Sequence, residues 1–316
     1  MKTVYANRAS SIIYNVLKSK IRDGIFILPA NICPIVPLVF FKAGYKFEFI
    51  DITLNDYLID KNEVLLRLLK NRGKYSGILF NRTYGMISSV EAFFGQIKDI
   101  DKNIIIIDDR CLSIPSFSVK TMHADITLYS TGKTKYTNGP PGGFAHLNNN
   151  ISYYESNKRE WNPDDLSNII DSYKHSVENK IKFNYVDSGW LDISRPKWSI
   201  KEHKDKVKAN LEAAVQIKKE INRIYFENLP KPIQLPLEYQ NWRFNIMVPN
   251  KEKVLLKIFQ NGLFASSHYA SLGNIFAPGE FKNASSLHSK VINLFNDRHY
   301  SQTSAEKTCE IINKYL

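Results

Sequence analysis

Residues 104–143, IIIIDDRCLSIPSFSVKTMHADITLYSTGKTKYTNGPPGG, decide how the chain reads. Ile104 to Ile107 form an unbroken β-branched run that ends in two carboxylates, Asp108 and Asp109. A run apolar on both faces predicts a strand covered on both sides, as in the parallel sheets of α/β proteins. Such sheets bind ligands outside the carboxyl ends of their strands, where the acidic pair falls. A second strand is expected over 124–129. It leads into Ser130, the lysines Lys133 and Lys135, and the pair Gly142–Gly143.

Upstream, the pattern alternates. Ile12, Ile13, Val16 and Leu17 give helical spacing over 8–20, opened by the small residues Ala9, Ser10 and Ser11. A short strand is expected over 25–28, closed by Pro29. A helix then starts at Pro34 and ends at Gly44, and a strand over 46–50 closes on Asp51. A helix over 61–72, a strand over 76–80, the turn Asn81-Arg82-Thr83-Tyr84-Gly85 and a helix over 90–97 lead back to the isoleucine run. Strands alternating with helices predict a mostly parallel sheet with right-handed crossovers.

Composition narrows the class. The chain has 316 residues, 43% hydrophobic and 23% charged, as in ordinary globular proteins. No apolar run approaches the roughly 20 residues of a membrane helix, and the N-terminus MKTVYANRASS lacks the apolar core of a signal peptide. Three scattered cysteines, Cys33, Cys111 and Cys309, argue against a disulfide framework or a zinc site and fit a reducing, cytoplasmic location. His123 and His146 have no spaced partners, so no metal is expected. The net charge of +12 comes from lysines spread along the chain rather than clustered. No nucleic-acid-binding signature accompanies it, and it reads as a solvated surface.

A carboxylate at one strand end and a lysine after the next strand are what a pyridoxal phosphate (PLP) site needs. The lysine forms a Schiff base, and the carboxylate keeps the pyridine nitrogen protonated. The spacing of Asp108-Asp109, Ala124-Asp125, Ser130, Lys135 and Gly142-Gly143 resembles the fold-type I PLP enzymes, most closely the DegT/DnrJ/EryC1/StrS sugar aminotransferases. The resemblance implies that Asp109 pairs with the pyridine nitrogen, Lys135 carries the cofactor and Ser130 binds its phosphate. Lys133 is the competing lysine, but Lys135 stands at the family's distances from Ser130 and from Gly142-Gly143. Ala9 and Ser10 take the place of a phosphate loop that in the family reads Ser-Gly-Thr-Ala-Ala, without its glycine. Tyr84 falls where the family has His-x-Tyr-Gly, as a wall of the site. Two further positions depart from the family. Ala30 to Cys33 lack its ring-stacking aromatic, and Leu112 replaces its Gln or His.

The resemblance extends beyond residue 145. Helices are expected over 164–180 and 200–227. Ser188–Trp198 is turn-rich, and there Arg195 is the candidate for the family's Asn-x-Arg loop, which reaches the neighbouring subunit's phosphate. Arg243, in NWRFNIMV, resembles the family's Tyr-Arg-Phe strand; with Arg195 it is a candidate substrate-binding residue. A strand over 242–248, a helix over 251–261 and the closing segment 283–315 complete an α+β unit. The expected organisation is a large PLP-binding α/β domain over 1–200, a linking helix over 201–228 and a small α+β domain over 229–316. The implied function is a PLP-dependent aminotransferase that moves an amino group, as from glutamate, to a nucleotide-linked keto-sugar in polysaccharide or amino-sugar synthesis. A homodimer is implied by the same resemblance. Two other readings stay open: a sugar dehydratase of the same fold, and a non-catalytic scaffold. A dinucleotide-binding dehydrogenase would need a G-x-G-x-x-G turn, which the chain lacks.

Overall fold

In the computed structural model, which describes residues 1–19, 23–118, 121–155 and 161–316, the isoleucine run lies inside a seven-stranded sheet. The chain opens with β1 (Lys2–Ala6) and α1 (Ala9–Lys18); position 20, expected at the end of that helix, lies outside the described residues. Then come β2 (Ile25–Pro29), α2 (Ile35–Ala43), β3 (Lys46–Ile50), α3 (Lys61–Lys70), β4 (Tyr75–Asn81) and α4 (Glu91–Ile100). Gly44 ends α2 at φ 80, the left-handed conformation in which a residue without a Cβ is unstrained. Asp60 caps α3 by accepting from the N–H groups of Asn62 and Glu63. β5 (Ile105–Asp109), β6 (Ile126–Ser130) and β7 (Gly143–Leu147) follow, and then α5 (Pro163–Glu178) and the long α6 (Ile200–Asn228). A capping box between Ser199 and Glu202 starts α6. The chain closes with β8 (Phe244–Met247), α7 (Lys251–Gln260), β9 (Ala265–Ser266), α8 (Lys282–His288), β10 (Val291–Leu294) and α9 (Gln302–Tyr315).

The large sheet has the order β1-β7-β6-β5-β4-β2-β3. β3, β2, β4, β5 and β6 run parallel, while β7 pairs antiparallel with both β6 and β1. The alternating pattern predicts the parallel part. It does not reveal β1 and β7, which stand together at one side of the sheet. Both are five residues long, and β7 begins on a glycine pair that reads as a turn. Their pairing fixes where the site forms. Asp109 lies opposite Leu128, Ser130 opposite Gly143, and Gly143 opposite Ala6, three residues before α1 begins. The ends of three strands and the start of a helix thereby meet at one edge.

A second sheet, β8-β10-β9, is antiparallel. The buried apolar side chains fall into two clusters. One covers the large sheet and takes in Leu235, Tyr239, Trp242 and Leu272 from the C-terminal part. The other joins the C-terminal half of α6, through Ile221 and Tyr225, to Phe244, Val254, Leu294 and Ile312. The chain passes from the first cluster to the second between Trp242 and Phe244.

Gly143 is where α1 touches the sheet. A Cβ there would stand 2.4 Å from the Ala9 nitrogen and 2.5 Å from its Cα, both backbone atoms of the helix start. Gly143→Ala should therefore push α1 off the sheet and destabilise the protein by about 1–3 kcal/mol, the usual range for overpacking. Urea denaturation measures it; wild-type stability in the variant would mean that α1 is not held this closely.

Candidate functional site

The acidic pair at the end of β5 divides by strand geometry. Successive side chains of a strand point to opposite faces, so Asp108 and Asp109 meet different surroundings. Asp108 is fully buried and receives Arg82 bidentately, Nε to Oδ1 at 2.8 Å and Nη2 to Oδ2 at 2.9 Å. Arg110 Nε adds a third bond to Oδ2 at 2.7 Å. Asp108 is thus fully engaged in a buried ion cluster. Asp109 faces a cavity and accepts the Cys111 N–H at 2.9 Å. Burial pushes the Asp109 carboxyl up from its ordinary value, against the pull of Cys111 and of the Lys135 charge.

The cavity measures about 640 Å³. On its sheet side are Asp109, Leu128 and Ser130, all of one face because Leu128 is opposite Asp109 and two residues before Ser130. Lys133 and Lys135 enter from the loop between β6 and β7, and Arg8, Ala9 and Ser10 from the start of α1. Asp192, Ser194, Arg195, Lys197 and Trp198 close it from the segment before α6. Cys33, Ile35 and Val36 come from the start of α2.

Two local features suit an anion. Arg8 precedes α1 in an extended conformation, φ −144 and ψ 148, and its side chain makes no cap hydrogen bond. The helix start, with its outward N–H groups and positive dipole end, therefore opens on the cavity. Arg8, Lys133, Arg195 and Lys197 add cationic side chains around it. The loop that carries the lysines is tightly folded. Thr131 N–H bonds to Gly142 O at 3.0 Å, Gly139 N–H to Thr131 O at 3.0 Å, and Lys135 N–H to Gly132 O at 3.1 Å. The Thr131 hydroxyl contacts His203 Nε2 at 3.0 Å, and the His203 ring stacks on Tyr5 at 4.1 Å between centroids. Burial pushes His203 down to about 4, so this imidazole is neutral at physiological pH.

Six of the eight residues given a site role from the sequence therefore share one cavity, Ala9, Ser10, Asp109, Ser130, Lys135 and Arg195, and the competing Lys133 lines it too. Tyr84 and Arg243 do not line it. Tyr84 is buried at φ 53 and donates its hydroxyl to His268 O at 2.6 Å. Arg243 is buried between two rings, its guanidinium carbon 4.3 Å from the Trp242 centroid and 3.7 Å from that of Phe295, and it donates to Ser266. Leu112 packs against Gly85 rather than the cavity. Residues that sequence reasoning did not assign include Arg8, Leu128, Lys197 and Trp198. Leu128 was detectable from the period of two counted back from Ser130. Arg8 was detectable as the neighbour of Ala9, and Lys197 and Trp198 needed the return of residues 192–198 to α1, where the resemblance pointed only to Arg195. Burial raises the Cys111 thiol well above its ordinary value, so this cysteine is a neutral neighbour of Asp109 and not a nucleophile. Among the described residues no group of three or more His, Cys, Asp or Glu could hold a metal, and no helix is long and apolar enough to cross a membrane.

No protein-family model matches the sequence, and no curated protein matches it. Solved structures do match in fold. A DegT DnrJ EryC1 StrS aminotransferase from Brucella abortus superposes with TM-score 0.68 at 16% identity, over 100% of this chain and 86% of that one. PseC of Helicobacter pylori, an aminotransferase involved in the biosynthesis of pseudoaminic acid, gives TM-score 0.69 at 16% identity, over 99% and 86%. DesI, solved in the presence of its TDP-sugar product, gives 0.71 at 13% identity, over 99% and 80%. The fold is therefore that of the fold-type I PLP-dependent transferases, with a mostly parallel central sheet flanked by helices.

The two carboxylates should respond oppositely to neutralisation. Asp108→Asn breaks a buried ion pair and leaves two arginines without their shared partner, at a cost of about 3–5 kcal/mol. Asp109 has a folded pKa above its unfolded one, so the folded state binds more protons and loses stability as pH rises through that interval. Asp109→Asn removes this liability and should be neutral or stabilising at pH 7, with a flatter stability profile in the acid range. Urea denaturation from about pH 4 to pH 8 measures both; equal losses in the two variants would contradict the assignment.

Proposed function

We propose that this chain is a PLP-dependent aminotransferase that moves an amino group from an amino acid, with glutamate the first donor to test, to a nucleotide-linked keto-sugar. The observation that carries the proposal is the meeting, in one cavity, of a buried carboxylate that makes no ion pair among the described residues, a lysine and a helix start without a side-chain cap. The donor set has a group for each end of the cofactor. Asp109 would hold the pyridine nitrogen, and its raised pKa marks a carboxylate whose charge wants a cation beside it. Ser130 and the N–H groups of Ala9 and Ser10 would hold the phosphate. Bound PLP supplies an electron sink for the substrate carbon that loses its proton.

The remaining chemistry belongs to the chain. Lys135 would be the proton carrier once its amine is free, taking a proton at one carbon and returning it at another. Arg195, in the cavity wall, is the cation assigned to the anionic substrate; Arg243, buried between Trp242 and Phe295 outside the lining, is assigned no contact with it. Tyr84 would back the wall through its bond to His268 O. The basic surface would draw in a diphosphate as a salt-sensitive rate effect. Retention of a lysine at position 135 favours amino transfer over sugar dehydration. A homodimer, a cytoplasmic location, a role in polysaccharide or amino-sugar synthesis, and the division of the chain at residues 200 and 228 belong to the same proposal. The nucleotide-linked substrate is supported by the fold shared with DesI, which was solved in the presence of its TDP-sugar product.

Borohydride treatment of the protein with PLP should fix the cofactor to Lys135, as read by peptide mass mapping. Lys135→Ala should abolish that adduct and lower amino transfer by about 10²–10⁴-fold. An adduct on Lys133 would move the assignment, and none at all would overturn the proposal in favour of a scaffold. If a panel of amino donors is inert while a nucleotide sugar loses water, the dehydratase reading wins.

A further inference from the structure

We propose that Trp242 and Asn138 are positioning residues that aim Lys135 by clamping Thr134, the residue before it, from both sides. Thr134 has φ 66. A β-branched side chain is rarely found in that left-handed conformation, because its Cβ substituents crowd the backbone. Such a residue persists where its surroundings over-determine it. Here both polar groups of its backbone are held by side chains. The Thr134 N–H donates to Asn138 Oδ1 at 3.1 Å, and its carbonyl accepts the Trp242 indole N–H at 2.7 Å.

The two halves of the clamp come from different places. Asn138 belongs to the same loop and is itself left-handed, φ 43, a conformation that asparagine tolerates well. Its N–H bonds to Lys135 O at 3.0 Å, so it brackets the lysine on the far side. Trp242 stands 108 positions away in sequence, just before β8. Its indole packs against Arg243 and His268, and its carbonyl accepts Lys218 Nζ at 2.7 Å; that ammonium is held in turn by Asn296 Oδ1 at 2.8 Å. A rigid anchor on the C-terminal side of the molecule therefore reaches into the loop that presents Lys135. The direction of a side chain follows from its backbone dihedrals, so loss of either bond should let the Thr134–Lys135 peptide turn and carry the amine off its line. The weight placed on Lys135 rests on the aminotransferase reading; the clamp rests on geometry alone.

The test compares Trp242→Phe, which keeps a smaller buried ring and removes the indole N–H, with Asn138→Gly, which suits the left-handed backbone and removes the side chain that carries the acceptor. Asn138→Asp retains an acceptor oxygen and serves as the rescue. Two readouts need no cofactor. Amide exchange at Lys135 and at position 138 should quicken about tenfold in Trp242→Phe and Asn138→Gly, while β5 keeps its protection. Competitive labelling with trace acetic anhydride should change the reactivity of Lys135 several-fold relative to Lys133. A third readout, borohydride fixation of PLP, should shift from Lys135 toward Lys133 in both variants and return in Asn138→Asp. Unchanged exchange in two folded variants would overturn the clamp. Faster exchange with unaltered Lys135 labelling would reduce it to a structural contact and overturn the positioning role. If Trp242→Phe does not fold, Asn138→Gly decides. If wild-type protein takes no PLP on Lys135, the aminotransferase reading falls, and exchange with labelling still decide the clamp.

Discussion

The bidentate pair between Arg82 and Asp108 is the contact on which the site depends. It joins the ends of β4 and β5 inside the sheet, with Arg110 completing the cluster. Backbone bonds reinforce it: Arg82 N–H reaches Asp109 O at 3.0 Å, and Arg110 N–H reaches Leu128 O at 2.8 Å. The strand ends of β4, β5 and β6 are thereby locked in register. Because Asp108 engages the nearby guanidinium groups, Asp109 accepts a backbone N–H and makes no ion pair among the described residues. Two adjacent residues of one type thus acquire opposite tasks, one binding the scaffold together and the other facing the cavity.

The rest of the site shows the same exchange of stability for readiness. Asp109 is buried with a raised pKa, α1 begins without a side-chain cap, and Thr134 holds a left-handed backbone. Each is unfavourable for the protein alone and favourable for something that binds. A carboxylate short of a cation suits a protonated ring nitrogen, and bare helix N–H groups suit a phosphate. Violations of local preference tend to gather at functional sites, where the surrounding structure supplies the compensation. Here the compensation is visible in the dense bonding of the loop from Thr131 to Gly142 and in the glycine pair that lets α1 lie directly on β7.

The C-terminal part of the chain is not a separate appendage. Leu235, Tyr239, Trp242 and Leu272 pack into the core of the large sheet, while Phe244 and its neighbours form a second core with α6. Trp242 stands at that crossing and donates to the lysine loop. A shift of the small sheet against the large one would be felt at Thr134 directly. This ties the lysine loop to both cores.

Much of this was legible in the residues themselves. The isoleucine run, the alternation of strand and helix patterns up to Ser130, and the glycine and proline punctuation around α2 are local signals. They led to a mostly parallel sheet with elements displaced by only a few residues. The spacing of Asp109, Ser130 and Lys135 was legible for the same reason, since all three lie on or beside two adjacent strands. β1 and β7 were hidden because short strands at a sheet margin carry little periodicity, and because β7 starts at a glycine pair. Resemblance had suggested Tyr84 and Arg243 as site residues, and both stand outside the cavity lining, in contacts with His268 and with Trp242 and Phe295. The sequence by itself determined the order of chemistry along the chain and that two adjacent carboxylates end the isoleucine strand. Only the tertiary structure decided which carboxylate is neutralised, which cations line the cavity and what holds Lys135 in line. Those depend on Arg82, Arg195, Lys197 and Trp242 arriving from distant positions, and no local pattern records where a distant side chain will come to rest.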